Sequence, residues 1–209
     1  MKISAAIPTI LLLSTLATLA QGYVNFSTRV SGTVVGHVYA ERFWTFGKNG
    51  NTASETPAGT QTYTGIRITG SGFSAQLFAV NGADQPEQLL LAVSAPTPFR
   101  TGAILGGTPA PLVVRIPFIP AGGTGTFQIR VWDNFEGTIT SWDAGVYRGK
   151  SALFNVSNLG DGILTLPANM ENFRSFSFYD PRVPEPGTLT LLGLAGLGFW
   201  LARRRNPSA

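Results

Sequence analysis

The sequence predicts an all-β body, an antiparallel β-sandwich of about ten short strands, with a jelly roll as one such arrangement. Three observations predict it. First, apolar and polar residues alternate with the period of two that a half-buried strand requires. Phe127, Ile129 and Val131 face away from Gln128 and Arg130; Leu112, Val114 and Ile116 face away from Arg115; Phe176 and Phe178 alternate with Ser175 and Ser177. Second, the pairs Asn49-Gly50, Asn81-Gly82, Gly122-Gly123 and Asp161-Gly162 punctuate these runs as turns. Third, no stretch of about ten residues in the body reads as an amphipathic helix. A chain of 209 residues with 25 glycines, 14 prolines and only 12% charged residues suits strands and turns.

In chain order, the first element lies outside that body. Met1-Lys2 opens an apolar run from Ile3 to Ala20 centred on Leu11-Leu12-Leu13, and Thr18 and Ala20 are small residues at the −3 and −1 positions of a cut between Ala20 and Gln21. A basic start, an apolar centre and a small-residue exit make residues 1–20 a secretory signal peptide. The exported β domain then covers 21–182, with strands expected at 23–30, 34–39, 63–69, 73–80, 89–94, 112–118, 126–132, 151–156, 162–166 and 173–179.

The last element, 183–207, changes character again. Val183-Pro184-Glu185-Pro186 breaks regular structure, 187–202 carries no charge, and Arg203, Arg204 and Arg205 follow. The run 188–202, as a helix, would reach about 22 Å at 1.5 Å per residue, against a hydrocarbon core of about 30 Å. It is therefore a short membrane span, helped by snorkelling arginines and local thinning. Gly193, Gly196 and Gly198 would each cost a soluble helix about 1 kcal/mol relative to alanine, and Trp200 beside the arginines suits a membrane boundary. The arginines hold the extreme C-terminus on the cytoplasmic side and leave the preceding residues outside.

A Pro-Glu-Pro motif, a short Gly/Leu span and a terminal arginine cluster, in that order, resemble the PEP-CTERM sorting tail. The resemblance covers about residues 183–205. It implies a Gram-negative-type bacterial protein recognised at Pro184, Glu185 and Pro186 by exosortase, a membrane cysteine transpeptidase, in bacteria many of which make extracellular polysaccharide. Residues 70–78, 128–133 and 149–154 also resemble segments that precede such tails, and the resemblance assigns no chemistry to them.

Between the ends, several chemistries are excluded or unsupported. The chain has no cysteine, which removes disulfides, thiolate metal sites and cysteine nucleophiles, and its one histidine, His37, precludes a multi-histidine zinc site within one chain. No serine lies in a Gly-x-Ser-x-Gly setting, so His37 reads as an ordinary strand residue with a satisfied ring. The net charge of +4 resides mostly at the targeting ends: residues 21–183 hold 11 basic and 10 acidic side chains. That balance gives no footprint for nucleic acid.

Two candidate sites remain. Trp132, Asp133 and Trp142, with Glu136 and Asp143 nearby, carry the aromatic faces and acids of a glycan contact, and the acids also have the residue types of a glycosidase pair. Asp133, Asn134, Glu136, Asp143, Asn158 and Asp161 are hard oxygen donors, without an EF-hand pattern. The expectation is a non-enzymatic protein without a cofactor, anchored in the inner membrane and then displayed at the cell surface or in the extracellular matrix. Its expected partners are exosortase, the membrane and extracellular polysaccharide. A surface carbohydrate-binding module using Trp132 and Trp142 is the alternative.

Overall fold

Among the described residues the longest ladder joins β6 (Gly70–Asn81) to β10 (Gly125–Asp133), antiparallel from Gly125 opposite Asn81 to Asp133 opposite Phe73. The computed structural model describes residues 21–40, 50–51, 55–59, 63 and 65–177. The signal segment with Ala20, and the tail with Val183, Pro184, Glu185, Pro186, Arg203, Arg204 and Arg205, lie outside the described residues; Gln21 is the first described. Among the described residues the protein is all-β. Its only helical turn is Glu87–Leu89, and no helix is long and apolar enough to cross a membrane.

The described residues form fourteen strands, in chain order β1 (Gln21–Phe26), β2 (Arg29–Val30), β3 (Val34–Val35), β4 (Val38–Ala40), β5 (Ile66–Arg67), β6, β7 (Leu91–Ala92), β8 (Thr97–Phe99), β9 (Leu112–Pro120), β10, β11 (Arg148–Lys150), β12 (Phe154–Val156), β13 (Ala168–Asn169) and β14 (Phe176–Ser177). The largest sheet orders β11-β10-β6-β7, with β12 also on β10 and β8 also on β6. A second sheet orders β13-β1-β9, a third β14-β4-β5, and β2 pairs with β3. Alternation explains the centre. Ala75, Leu77 and Ala79 of β6 and Phe127, Ile129 and Val131 of β10 share one buried cluster with Val24 and Phe26 of β1 and Val114 and Ile116 of β9. Each large apolar side chain so buried contributes about 1.5–3 kcal/mol. The chain passes from the second sheet to the first at Pro120–Gly125. There Gly122 takes φ +75°, and a Cβ on Gly123 would stand 2.7 Å from the Pro120 carbonyl oxygen, so both positions favour glycine.

The structure corrects the sequence reading in several places. The expected strand at 162–166 is a loop of bends, with Ile163, Leu164 and Leu166 about nine-tenths exposed. Its backbone is captured locally: Asp161 Oδ1 accepts from the amides of Ile163, Leu164 and Thr165, each at 2.8 Å. The expected strand 23–30 breaks after Phe26, where the Ser27 amide donates back to Asn25 O. The expected strands 89–94 and 173–179 shrink to β7 and, within the described residues, β14. The sheets are mainly antiparallel, but the last two strands are not: β13 runs parallel to β1 and β14 parallel to β4. Finally, β10 is buried on both faces, Gln128 included at 1% exposure. Gln128 Nε2 donates to Ser151 O, and its Oε1 accepts from Arg130 Nε, so the polar face is covered by partnered groups rather than by solvent.

Candidate functional site

The sequence placed its candidate site on β10 and the loops beyond it. Trp132 is fully buried, and its indole N–H donates to Ile139 O at 2.9 Å. A sugar-stacking tryptophan needs an open face, and Trp132 has none. Asp133 Oδ1 accepts from the Phe135 amide at 2.9 Å, in a turn that carries positive φ at Phe135, Glu136 and Gly137. Asn134 closes the same turn, donating to Ser71 O and Ser74 Oγ and accepting from the Gly137 amide. These contacts use the acid and the amide as loop structure.

Trp142 is only partly buried, but its ring already has cationic neighbours. The Arg148 guanidinium carbon lies 4.1 Å from the ring centroid and that of Arg130 lies 4.8 Å away. Arg130 also sits 4.2 Å from the Phe78 centroid. Glu87 receives Lys150 Nζ at 2.7 Å and Arg130 Nη2 at 3.5 Å. The sequence pointed to the tryptophan and missed this cationic frame, because Arg130, Arg148, Lys150 and Glu87 come together only through the β11–β10 pairing and the turn before β7. Among the described residues no three His, Cys, Asp or Glu side chains gather as a metal site.

The strongest constellation of polar groups lies elsewhere, around Glu55. His37 Nδ1 and Tyr39 Oη each donate to Glu55 Oε1 at 2.7 Å, Ser175 Oγ donates to Oε2, and Arg67 Nη2 lies 3.4 Å from Oε1. His37, Glu55 and Ser175 are each at most 2% exposed. Burial alone would raise the Glu55 carboxyl, but the hydrogen bonds from His37, Ser175 and Tyr39 outweigh it and hold the group at about 2. Burial, reinforced by the bond to that carboxylate, pushes Tyr39 up to about 12. Glu55 is therefore ionised and Tyr39 neutral across the physiological range.

The order of contacts decides what this cluster can do. In a nucleophilic triad the hydroxyl faces the imidazole and the acid lies behind it. Here the acid stands between hydroxyl and imidazole, and Ser175 Oγ accepts from the His37 backbone amide at 2.9 Å. The serine proton points at the carboxylate, and the group is closed to solvent. What the cluster does is tie four segments together. Tyr39 belongs to β4, Arg67 to β5, Glu55 to the 55–59 segment and Ser175 to the approach of β14. Asn51 Oδ1 accepts from the Ser175 amide at 2.6 Å, and Tyr63 Oη donates to Ser175 O at 2.8 Å. His37 thus has its Nδ1 satisfied, but its Nε2 is buried without a hydrogen-bond partner, so the expected satisfied ring is only half realised. The partner Glu55 carried no sequence signal, since 18 residues separate the two in the chain.

Comparison with known proteins bears on the tail. Residues 182–205 match the PEP-CTERM protein-sorting motif. No curated protein matches the chain, and no solved structure matches it. The match identifies a chain carrying the signal of a protein exported and sorted by the exosortase system.

Proposed function

We propose that this PEP-CTERM chain delivers a non-enzymatic β-sandwich to the outside of the cell, where the domain acts as a surface or matrix component. The observation that carries the reading is the sorting motif at 182–205, five residues beyond the last described strand. In this reading residues 1–20 direct export with cleavage between Ala20 and Gln21. The run 187–202 halts in the inner membrane, Arg203, Arg204 and Arg205 remain cytoplasmic, and Pro184-Glu185-Pro186 stands on the outer side for exosortase. The buried faces of the six-stranded sheet and of the β13-β1-β9 sheet, which contribute to one core, support the sandwich arrangement. The Glu55 cluster supports a structural use of the body's buried polar groups, since its serine proton is directed away from the imidazole. The test is fractionation of cells making the intact chain or a chain lacking Pro184-Glu185-Pro186. The intact chain is expected in envelope or extracellular fractions, and the deleted form is expected to accumulate unprocessed in the membrane. Equal cytosolic recovery of both would refute the reading.

Polysaccharide binding is a second reading, favoured by one observation: Trp142 is partly exposed between Arg130 and Arg148, a setting for an acidic sugar. Trp142→Ala is expected to lower retention on the cell's own polysaccharide. Unchanged retention removes this reading without touching the sorting one.

A further inference from the structure

Among the described residues, four side-chain atoms are buried without a hydrogen-bond partner: Gln21 Oε1, Thr28 Oγ1, His37 Nε2 and Arg100 Nη2. Gln21 and Thr28 are neutral, and a neutral His37 ring with its Nδ1 proton on Glu55 has a bare Nε2. Arg100 differs, because a guanidinium keeps its charge at every physiological pH. A charged donor left unmet costs far more than a neutral one. Arg100 is also held in place. Its amide donates to Thr108 O at 2.9 Å, and its Nε donates to Thr108 Oγ1 at 2.9 Å. Thr108 is fully buried and passes its own hydroxyl proton to Leu105 O at 2.6 Å. The Nε bond fixes the plane of the guanidinium and leaves the Nη1–Nη2 fork uncommitted.

A second cation stands near it. Arg29 lies on β2 opposite Val35 of β3, and its backbone N and O are both bonded to Ser27 Oγ. Burial and the Arg29 charge together lower the Arg100 guanidinium from its ordinary value. No described acid forms an ion pair with either arginine: the ion pairs among the described residues join Glu55 to His37 and Arg67, and Glu87 to Arg130 and Lys150. Two like charges held near each other, one with a buried donor unmet, are unfavourable for the fold alone. They are what a site for a doubly charged oxyanion requires. A tetrahedral oxyanion offers separate oxygens to two guanidinium groups, whereas the two oxygens of a carboxylate are taken up by a single fork.

We infer that Arg100 and Arg29 form a binding site for a phosphate-class dianion, with Thr108 as the residue that orients the Arg100 fork. The two cations match the two charges of the ligand. The bond from Arg100 to Thr108 is made before any ligand arrives, so binding requires little further ordering of that side chain. The site goes beyond sorting and display and does not depend on them. The same group comes as free phosphate or as a phosphate ester on a larger molecule, and both present the same oxygens to the two arginines.

The full-length chain in neutral detergent is titrated calorimetrically with sodium phosphate, with sulfate as its isostere, with acetate and with glucose 6-phosphate, at one ionic strength set by chloride. Phosphate and sulfate are each expected to fill one saturable site, and acetate to bind about tenfold more weakly. Arg100→Lys keeps the charge but not the fork, and is expected to weaken phosphate about tenfold. Arg29→Gln is expected to weaken it several-fold, and Arg115→Gln, at an exposed position of β9, to change nothing. In chloride alone Arg29→Gln is expected to keep or raise Tm, since it removes a repulsion. Glucose 6-phosphate bound as tightly as phosphate assigns the site to phosphate esters, and its rejection assigns the site to the free ion; both support the inference. Absence of saturable binding by phosphate and sulfate overturns it, as does an equal loss in Arg115→Gln or acetate bound as tightly as phosphate. A fall in Tm of more than about 4 °C for Arg29→Gln in chloride would mean that Arg29 has its partner within the chain, and would also overturn the inference.

Discussion

Residues 126–132 and 162–166 look alike in sequence and end in opposite places. Each follows a glycine-containing turn signal and each is dominated by branched or aromatic apolar residues. The first became part of a nine-residue, mostly buried strand, with Phe127, Ile129 and Val131 at 0% exposure. The second became a loop with Ile163, Leu164 and Leu166 in solvent. What separates them is the fate of the backbone amides. Those of β10 face a nine-residue register on β6, whereas those of residues 163–165 all turn inward to Asp161 Oδ1. Apolar alternation makes a strand only where a neighbouring strand is available to take its hydrogen bonds.

The sharpest way to break this comparison is to truncate one apolar residue in each segment. Phe127→Ala is expected to cost about 3–5 kcal/mol in chemical denaturation, the range for emptying an aromatic site in a packed core. Leu164→Ala is expected to change stability by no more than about 0.5 kcal/mol. Comparable losses would show that the 162–166 loop is covered and that the contrast is false.

The Glu55 cluster sharpens the comparison from another side, because it fixes loops by charge rather than by strand pairing. The Glu55 carboxyl is held near 2 against its usual 4.5, so its stabilisation is fully present above about pH 4.5 and is lost as pH falls toward 2. Its contribution at neutral pH is on the order of 3 kcal/mol at about 1.4 kcal/mol per pKa unit. Glu55→Gln is expected to destabilise the protein at pH 7 and to flatten its stability profile between pH 4.5 and 2. A variant as stable at pH 7 as the parent, with the same acid profile, would contradict the role given to this carboxylate.

The smallest effect is expected at Asp161. Its carboxyl is held at about 2 by the backbone amides of Thr165 and Ile163. Asp161→Ala is expected to speed amide hydrogen exchange at residues 163–165 while leaving the global denaturation midpoint in place. Exchange that remains slow would mean that the loop is held by something other than this side chain.

These regions also show how much was legible in the sequence. Strands such as β9 and β10 could be read because apolar residues recur in them with a period of two, but their pairing with β1 and β6 could not, since no local pattern names a partner. Phe127, Ile129, Val114 and Ile116 carry that period unaided. The burial of Trp132 and Gln128 could not be read, because what covers the second face of β10 comes from residues such as Ile139 and Ser151, held there by turns and short strands. The parallel strands β13 and β14 are two residues each, too short to carry any period. The Glu55 cluster draws on positions from 37 to 175, and no spacing rule connects them. The sorting motif was fully legible because it is contiguous: its meaning lies in residue order rather than in folding.

The central claim is that both ends of this chain are addresses and that only the β body is displayed. Intact-mass measurement of the mature protein from a host with an active exosortase tests it most directly. The account predicts a chain that begins at Gln21 and has lost the segment bearing Arg203, Arg204 and Arg205. A mature protein that retains Met1 and those three arginines in the presence of active exosortase would contradict it.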